Sequence, residues 1–425
     1  MTKHFKLRPL IYSGLTIILT TIFYLLPIIG DDATNRQVKT EQTLTGIFNT
    51  DIHMFWTWSS RIFINPLMFI STNIVPKWIF SLVTALLIIS IINWLDNKHN
   101  HKALIIIILA MALFPFVELS TAGYIATTVT YLWPIGFLCL GLTCLKHHQI
   151  TWQILAGFCF LLALNNEQLC LLATIYLAYY LILHHNKIKQ LIALLIPWLI
   201  NFCLFFFTPG NQARKISETK RWLPAFSHYS IIDKLDLGTI TTIQHYLFSL
   251  SPLIIVTSIV LLTINHQKHP IIAWLPITTI TLTSLIATLA TIPLHFVATI
   301  NPTIDKTVII TYLLGLVWLT SSMILIHDRD LNMLLMAGLM SRIALGFSPT
   351  IYASSTRTFI FCDAIIIYIL ITLIQKHLID DQNTVILLSL FATINIGLNV
   401  SIVNNINAVN IHNIPLIQWT NILHR

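Results

Sequence analysis

Thirteen apolar runs divide this chain, and the connections at alternate boundaries are short and basic. The runs cover 9–29, 78–95, 103–117, 125–145, 151–164, 169–184, 190–207, 241–263, 270–290, 307–326, 331–346, 357–375 and 384–403. A helix needs about 20 apolar residues to cross a hydrocarbon core, and every backbone polar group inside that core must be satisfied within the protein. The repetition therefore predicts one architecture, an all-α, polytopic transmembrane helix bundle of about 13 spans. Composition agrees. Only 9% of the 425 residues are charged and 56% are hydrophobic, against about 25% charged in a soluble domain. So few charges cannot clothe a soluble surface. A cytosolic enzyme, a nucleic-acid-binding protein, a secreted disulfide scaffold and a disordered chain are excluded.

The basic connections set the orientation. DNKHNHK (96–102), KHHQ (146–149), HHNKIKQ (184–190), NHQKH (265–269), HDRD (327–330) and QKH (375–377) fall on one side with the basic start MTKHFKLRPL. By the positive-inside rule that side is the cytoplasm. The first run ends without a small-x-small cleavage site and reads as a retained helix. The expectation is a multi-pass protein of the cell membrane with a cytoplasmic amino terminus. Residues 1–403 form the helical domain, with outer-face loops at 30–77 and 208–240, and 404–425 form a short outer tail. The histidines of the basic connections read as solvated loop residues. The six cysteines read as buried inert thiols, since no C-x-x-C pair occurs. No phosphate-binding glycine motif and no H-E-x-x-H occurs.

Given that topology, unusual polar residues gather at the outer ends of the runs. The first outer segment holds Asp31, Asp32, Asp51 and Arg61. ELSTAGY brings Glu118, LNNEQ brings Asn165, Asn166 and Glu167, and FTPGNQAR brings Asn211 and Arg214. SRIALGFSPTIYASSTR brings Arg342, Ser348 and Arg357. An ion inside a span costs at least about 2.5–3.5 kcal/mol, so these groups should face a shared polar cavity or one another. Carboxylates and guanidiniums in one vestibule suit an anionic phosphate leaving group and a hydroxyl that must lose a proton.

Asp31 and Asp32 are adjacent and cannot point the same way in a helix or strand, so one of them is the candidate working group, as general base or metal ligand. The alternative is a solvated turn or a pair with Arg36. Arg61, Glu118, Asn166, Glu167, Asn211, Arg214, Arg342, Ser348 and Arg357 are candidates for binding substrate or phosphate. Asp31, Asp32 and Glu167 are candidate ligands for a divalent metal, Mg or Mn. The basic, aromatic-interleaved stretch 208–240 suits a lipid phosphate or an anionic wall polymer.

Taken in order, the first run ending in DD, an outer W-x-x-R, N-N-E, P-G-N-x-x-R and S-P-T-x-x-x-S-x-x-R resemble uncharacterised bacterial multi-span proteins. Those proteins are grouped with GT-C-type glycosyltransferases and are similar to the GtrII type of glucosyl transferase. The resemblance runs from about residue 25 to about residue 375. It implies a GT-C-like bundle in the bacterial cell envelope. It implies sugar transfer from a polyprenyl-phosphate donor to a surface glycan or glycolipid on the outer face. The essential acidic residue of the first outer loop would then fall on Asp31 or Asp32. Two rivals use the same charged vestibule: a transporter or flippase of lipid-linked saccharide, and a surface polysaccharide polymerase or ligase.

Overall fold

A computed structural model describes residues 7–38, 42–96, 101–147, 149–183, 191–248, 251–289 and 306–408. All regular elements among them are helical. In chain order they are α1 (Leu7–Leu25), α2 (Asp31–Asn35), α3 (Leu44–Thr57), α4 (Ile64–Asn73), α5 (Lys77–Leu95), α6 (His101–Met111), α7 (Tyr124–Thr127) and α8 (Trp133–Cys144). There follow α9 (Ile150–Ala163), α10 (Glu167–Leu183), α11 (Ile192–Phe207), α12 (Pro209–Trp222), α13 (Ile231–Phe248) and α14 (Pro252–Asn265). The last are α15 (Pro270–Leu289), α16 (Lys306–Ile326), α17 (Arg329–Ile343), α18 (Ile360–His377) and α19 (Gln382–Ala408).

Among the described residues, seven helical segments are long and apolar enough to cross a membrane, or nine if two bent pairs each count as one span. The bent pairs are α11 with α12, at 50°, and α13 with α14, at 75°. The chain is thus a multi-pass helical protein, but with fewer full-length spans than the thirteen runs predict. The apolar helices α6, α9 and α10 are shorter than a full span. Both sequence loops are largely helical: 30–77 contains α2, α3 and α4, and 208–240 contains α12 and most of the polar half of α13. The call of an outer tail at 404–425 falls mostly on residues 409–425, which lie outside the described residues, while α19 continues to Ala408.

Packing sorts the helices. α5 lies between α1 and α8, α8 packs on α9, and α9 on α11. α13, α14, α15 and α16 form a second group. α18 touches α6, α14 and α17, and its segment is 83% buried, so it is the central helix. In α1 only 6% of the span is buried, and Leu10, Ile17, Ile18 and Ile22 face outward. An apolar exterior around a packed interior is what a hydrocarbon solvent selects.

Where helices stop short inside the bundle, asparagines satisfy the loose backbone. α6 has 11 residues, about 16 Å of rise. Beyond it, Asn395 of α19 donates to the carbonyls of Ala112 (2.9 Å) and Phe114 (3.2 Å), and Asn399 accepts from the Val117 N–H at 2.6 Å. These bonds fix the 3₁₀ turn Phe116–Ser120, which carries Glu118. Asn201 of α11 donates to the carbonyls of Leu161 and Pro197, the latter within its own helix. Each bond replaces one that water cannot supply there.

The end of the bundle that carries the basic connections bears several ion pairs. Arg8 meets the buried Asp96 at 3.0 Å, and Tyr12 donates to the same carboxylate. Lys102 pairs with Asp380, and Lys376 with Asp328.

The opposite end is fastened by Asp32, which is wholly buried. Its two oxygens accept the N–H groups of Ile125 and Ala126, each at 2.8 Å. A carboxylate at exposed helix amides is a favourable N-terminal partner. Burial pushes its carboxyl up to about 6, although both N–H donors pull the other way. The fit depends on two glycines with positive φ, Gly30 (55°) and Gly123 (129°). A Cβ on Gly123 would stand 2.8 Å from the Asp32 carboxyl carbon. Asp32→Ala should therefore destabilise the protein by on the order of 2 kcal/mol or more, the cost of stranding two buried donors. Gly123→Ala should do the same through strain and displacement of Asp32. Unfolding midpoints in mild detergent measure both, and an unchanged midpoint for Asp32→Ala would remove the bolt from this account.

Candidate functional site

Asp31 and Asp32 divide their roles. Asp32 is wholly buried and accepts one backbone N–H on each oxygen, so it faces the protein rather than a solvent-reached substrate. Asp31 keeps contact with solvent. Partial burial raises its carboxyl above the usual carboxylate range, while Arg357 and Arg221 draw it back down. Its own N–H donates to the Ala122 carbonyl at 2.6 Å, which fixes its place at the start of α2.

A second group forms around Arg61. Its Nη2 and Nε both meet Oε2 of Glu167, at 2.6 and 2.7 Å. The residues that hold this pair are local. Asn165 is fully buried and accepts from the N–H groups of Phe63 and Ile64, both at 3.0 Å. It also donates to Asn201 at 2.8 Å, which joins the Arg61 turn to α11. Asn166 accepts from the N–H groups of Gln168 and Leu169 at the start of α10 and donates to the Thr130 carbonyl. Arg214, on α12, lies within electrostatic reach of Arg61 and Glu167, and its guanidinium stands 5.7 Å from the Trp58 ring.

A third group lies deeper. His245 Nε2 is 3.9 Å from Glu118 Oε1. Tyr246 donates to Asp363 Oδ1 at 3.0 Å. The Phe359 ring stacks on His245 at 3.6 Å and meets the Arg342 guanidinium at 4.1 Å. Arg342 is 2% exposed, and its Nε and Nη1 find no hydrogen-bond partner among the described residues. Tyr131 connects the second and third groups, because it acts electrostatically on Arg61, Arg214 and Arg342. It sits in the π-helical turn Thr128–Leu132, between α7 and α8. Such turns often mark functional positions.

The turn Thr356–Phe359 joins all three groups. Arg357 faces Asp31, the Thr358 carbonyl accepts from Gln168 at 2.8 Å, and Phe359 covers His245 and Arg342. Before it stands Ser355 with φ 52° and ψ −153°. A non-glycine residue there stores about 1–3 kcal/mol of strain, which the surrounding contacts must hold in place.

Other sequence candidates are placed differently. Asn166 uses its amide to build α10. Asn211 accepts from the Ser60 N–H and donates to the Phe205 carbonyl, so it ties the Arg61 turn to the end of α11. Ser348 exchanges a 2.8 Å hydrogen bond with Thr350 in a local turn and points to none of the three groups. Asp31, Asp32 and Glu167 do not form a ligand cluster. Among the described residues, the only close His, Asp and Glu cluster with metal-ligand spacing is Glu118, His245 and Asp363. Sequence reasoning missed His245, Asp363 and Tyr131. Asp363 carried a usable signal, a lone carboxylate within the apolar run IFCDAII. His245 and Tyr131 carried none, since each is one polar ring in an otherwise ordinary helical pattern.

Compared with known proteins, the chain matches no family model, no curated protein and no solved structure.

Asn165→Ala should strand two buried backbone donors and release the Arg61 turn. The expected loss is on the order of 2–4 kcal/mol, read as a lower unfolding midpoint. A change below about 0.5 kcal/mol, the scale of an ordinary surface substitution, would show that Asn165 does not organise this turn.

Proposed function

We propose that this protein is a membrane glycosyltransferase that moves a sugar from a polyprenyl-phosphate donor to a surface glycan or glycolipid on the outer face of the cell membrane. The observation that carries the reading is the Arg342 guanidinium, buried with two nitrogens that lack partners. A buried cation with two unpartnered nitrogens is costly, and an anionic ligand such as a phosphate supplies what they lack. Arg214 adds positive charge beside the Arg61–Glu167 pair, and Arg357 adds it near Asp31. The resemblance to GT-C-type enzymes points the same way, since it assigns the essential acid to the Asp31–Asp32 pair.

In this reading Asp31 accepts the proton of the acceptor hydroxyl. The acceptor oxygen bonds to the sugar, the sugar–phosphate bond breaks, and the electron pair leaves with the polyprenyl phosphate. The guanidiniums stabilise that departing charge, as preorganised donors do for any developing anion. Partial burial of Asp31 raises its carboxyl, which brings its basicity nearer to what a general base at neutral pH needs.

The test uses protein in liposomes with radiolabelled polyprenyl-phosphate sugar and candidate acceptors. Asp31→Asn should lower transfer by about 100-fold or more and leave the unfolding midpoint unchanged. Arg342→Gln should also abolish transfer. The wild-type rate should fall as pH drops and Asp31 takes up a proton. That acid limb should lie above the ordinary carboxylate range, because the shift is upward. Label that crosses the bilayer without transfer, or full activity in Asp31→Asn, would refute the proposal.

A further inference from the structure

We infer that Glu118, His245 and Asp363 form a binding site for a divalent transition-metal ion, of which Mn2+ is the best match. The three residues come from different parts of the chain: the 3₁₀ turn Phe116–Ser120, α13 and α18. Each offers one ligand atom, and all three atoms lie within 4.8 Å of one another. Donors sharing an ion at bond lengths of about 2.1 Å stand roughly 3–4 Å apart. The widest pair needs to close by about 1 Å, well within a side-chain rotation.

Two independent observations point to a ligand here. First, Glu118 Oε2 and Asp363 Oδ2 are buried and have no hydrogen-bond partner among the described residues. Glu118 is 7% exposed and Asp363 is 2% exposed, so bulk solvent hardly reaches them. Second, the 3.9 Å between His245 Nε2 and Glu118 Oε1 is too long for a hydrogen bond, yet suits two ligands on one ion. The cluster is also already oriented. Tyr246 holds Asp363 through Oδ1 and leaves Oδ2 to face the gap. Phe359 stacks flat on the imidazole and fixes its plane. Partners of this kind orient ligands in metal sites.

Charge explains why a cation belongs there. Once both carboxyls give up their protons to bind an ion, two negative charges face the single nearby guanidinium of Arg342. A divalent ion would turn that deficit into a net positive charge. One imidazole with two carboxylates is a mixed set of moderate softness, which favours Mn2+ or Zn2+ over Mg2+. Three protein donors leave further coordination positions open to water or to an anionic ligand. This site stands apart from the transferase proposal, because its occupancy is measurable without any substrate.

The experiment uses the full-length protein, purified in detergent, stripped with chelator and titrated with MnCl2 while free Mn2+ is followed by electron paramagnetic resonance. The wild type should take up about one ion per chain, and added Mn2+ should raise its unfolding midpoint. His245→Ala, Asp363→Asn and Glu118→Gln should each weaken uptake by about tenfold or more. Asp380→Asn, in the turn that follows α18, should bind as the wild type does. Pulsed spectra of the bound ion should show coupling to one imidazole nitrogen, a readout that needs no variant to fold. Folded wild type that leaves millimolar Mn2+ free would overturn the site. So would uptake that all three variants retain, or bound Mn2+ without imidazole coupling.

Discussion

Charge inside an apolar bundle is tolerated only where it meets a partner, and that constraint organises this protein. Glu118, Asp363 and Arg342 are buried among helices whose other residues are largely apolar. None of them could remain ionised alone at that depth without a cost of several kcal/mol. Segments distant in sequence bring opposite charges near one another, while Arg342 Nε and Nη1, Glu118 Oε2 and Asp363 Oδ2 keep no hydrogen-bond partner among the described residues. Arg61 and Glu167 lie 106 residues apart, and Asp32 and Ala126 lie 94 apart. The fold follows from those meetings as much as from apolar packing. The 3₁₀ turns Phe116–Ser120 and Thr356–Phe359 occur beside them.

The two ends of the bundle illustrate different uses of charge. At the end with the basic connections, the pairs are compact and mostly peripheral, such as Lys102 with Asp380. Their net effect on stability is small. At the opposite end the charges are interior and several polar atoms lack partners.

Much of this was legible in the sequence, and the failures have physical causes. The apolar runs revealed a multi-pass helical protein, and the polar clusters named Glu118, Glu167, Arg342 and Arg357. The count of thirteen spans is not confirmed, since several apolar helices are shorter than a full span and buried asparagines such as Asn395 and Asn201 satisfy backbone groups near their ends. The stretch after Thr208 read as loop because of its polarity. Yet Pro209 in the first turn and lysine and arginine in the last are ordinary helix signals, and α12 is a helix. Asp31 and Asp32 were indistinguishable because only the fold shows which carboxylate reaches the amides of α7. Asn166, Asn211 and Ser348 looked like ligand contacts because sequence cannot show that their hydrogen bonds are already used.

The central claim is that separate polar turns converge in one interior seam. A charge exchange between Arg61 and Glu167 tests it most directly, with unfolding midpoints measured in detergent. Arg61→Glu and Glu167→Arg alone should each lower the midpoint, since each places two like charges together. The double exchange should recover most of the loss. Additive losses in the double variant would mean that these residues do not meet, and the seam would be wrong.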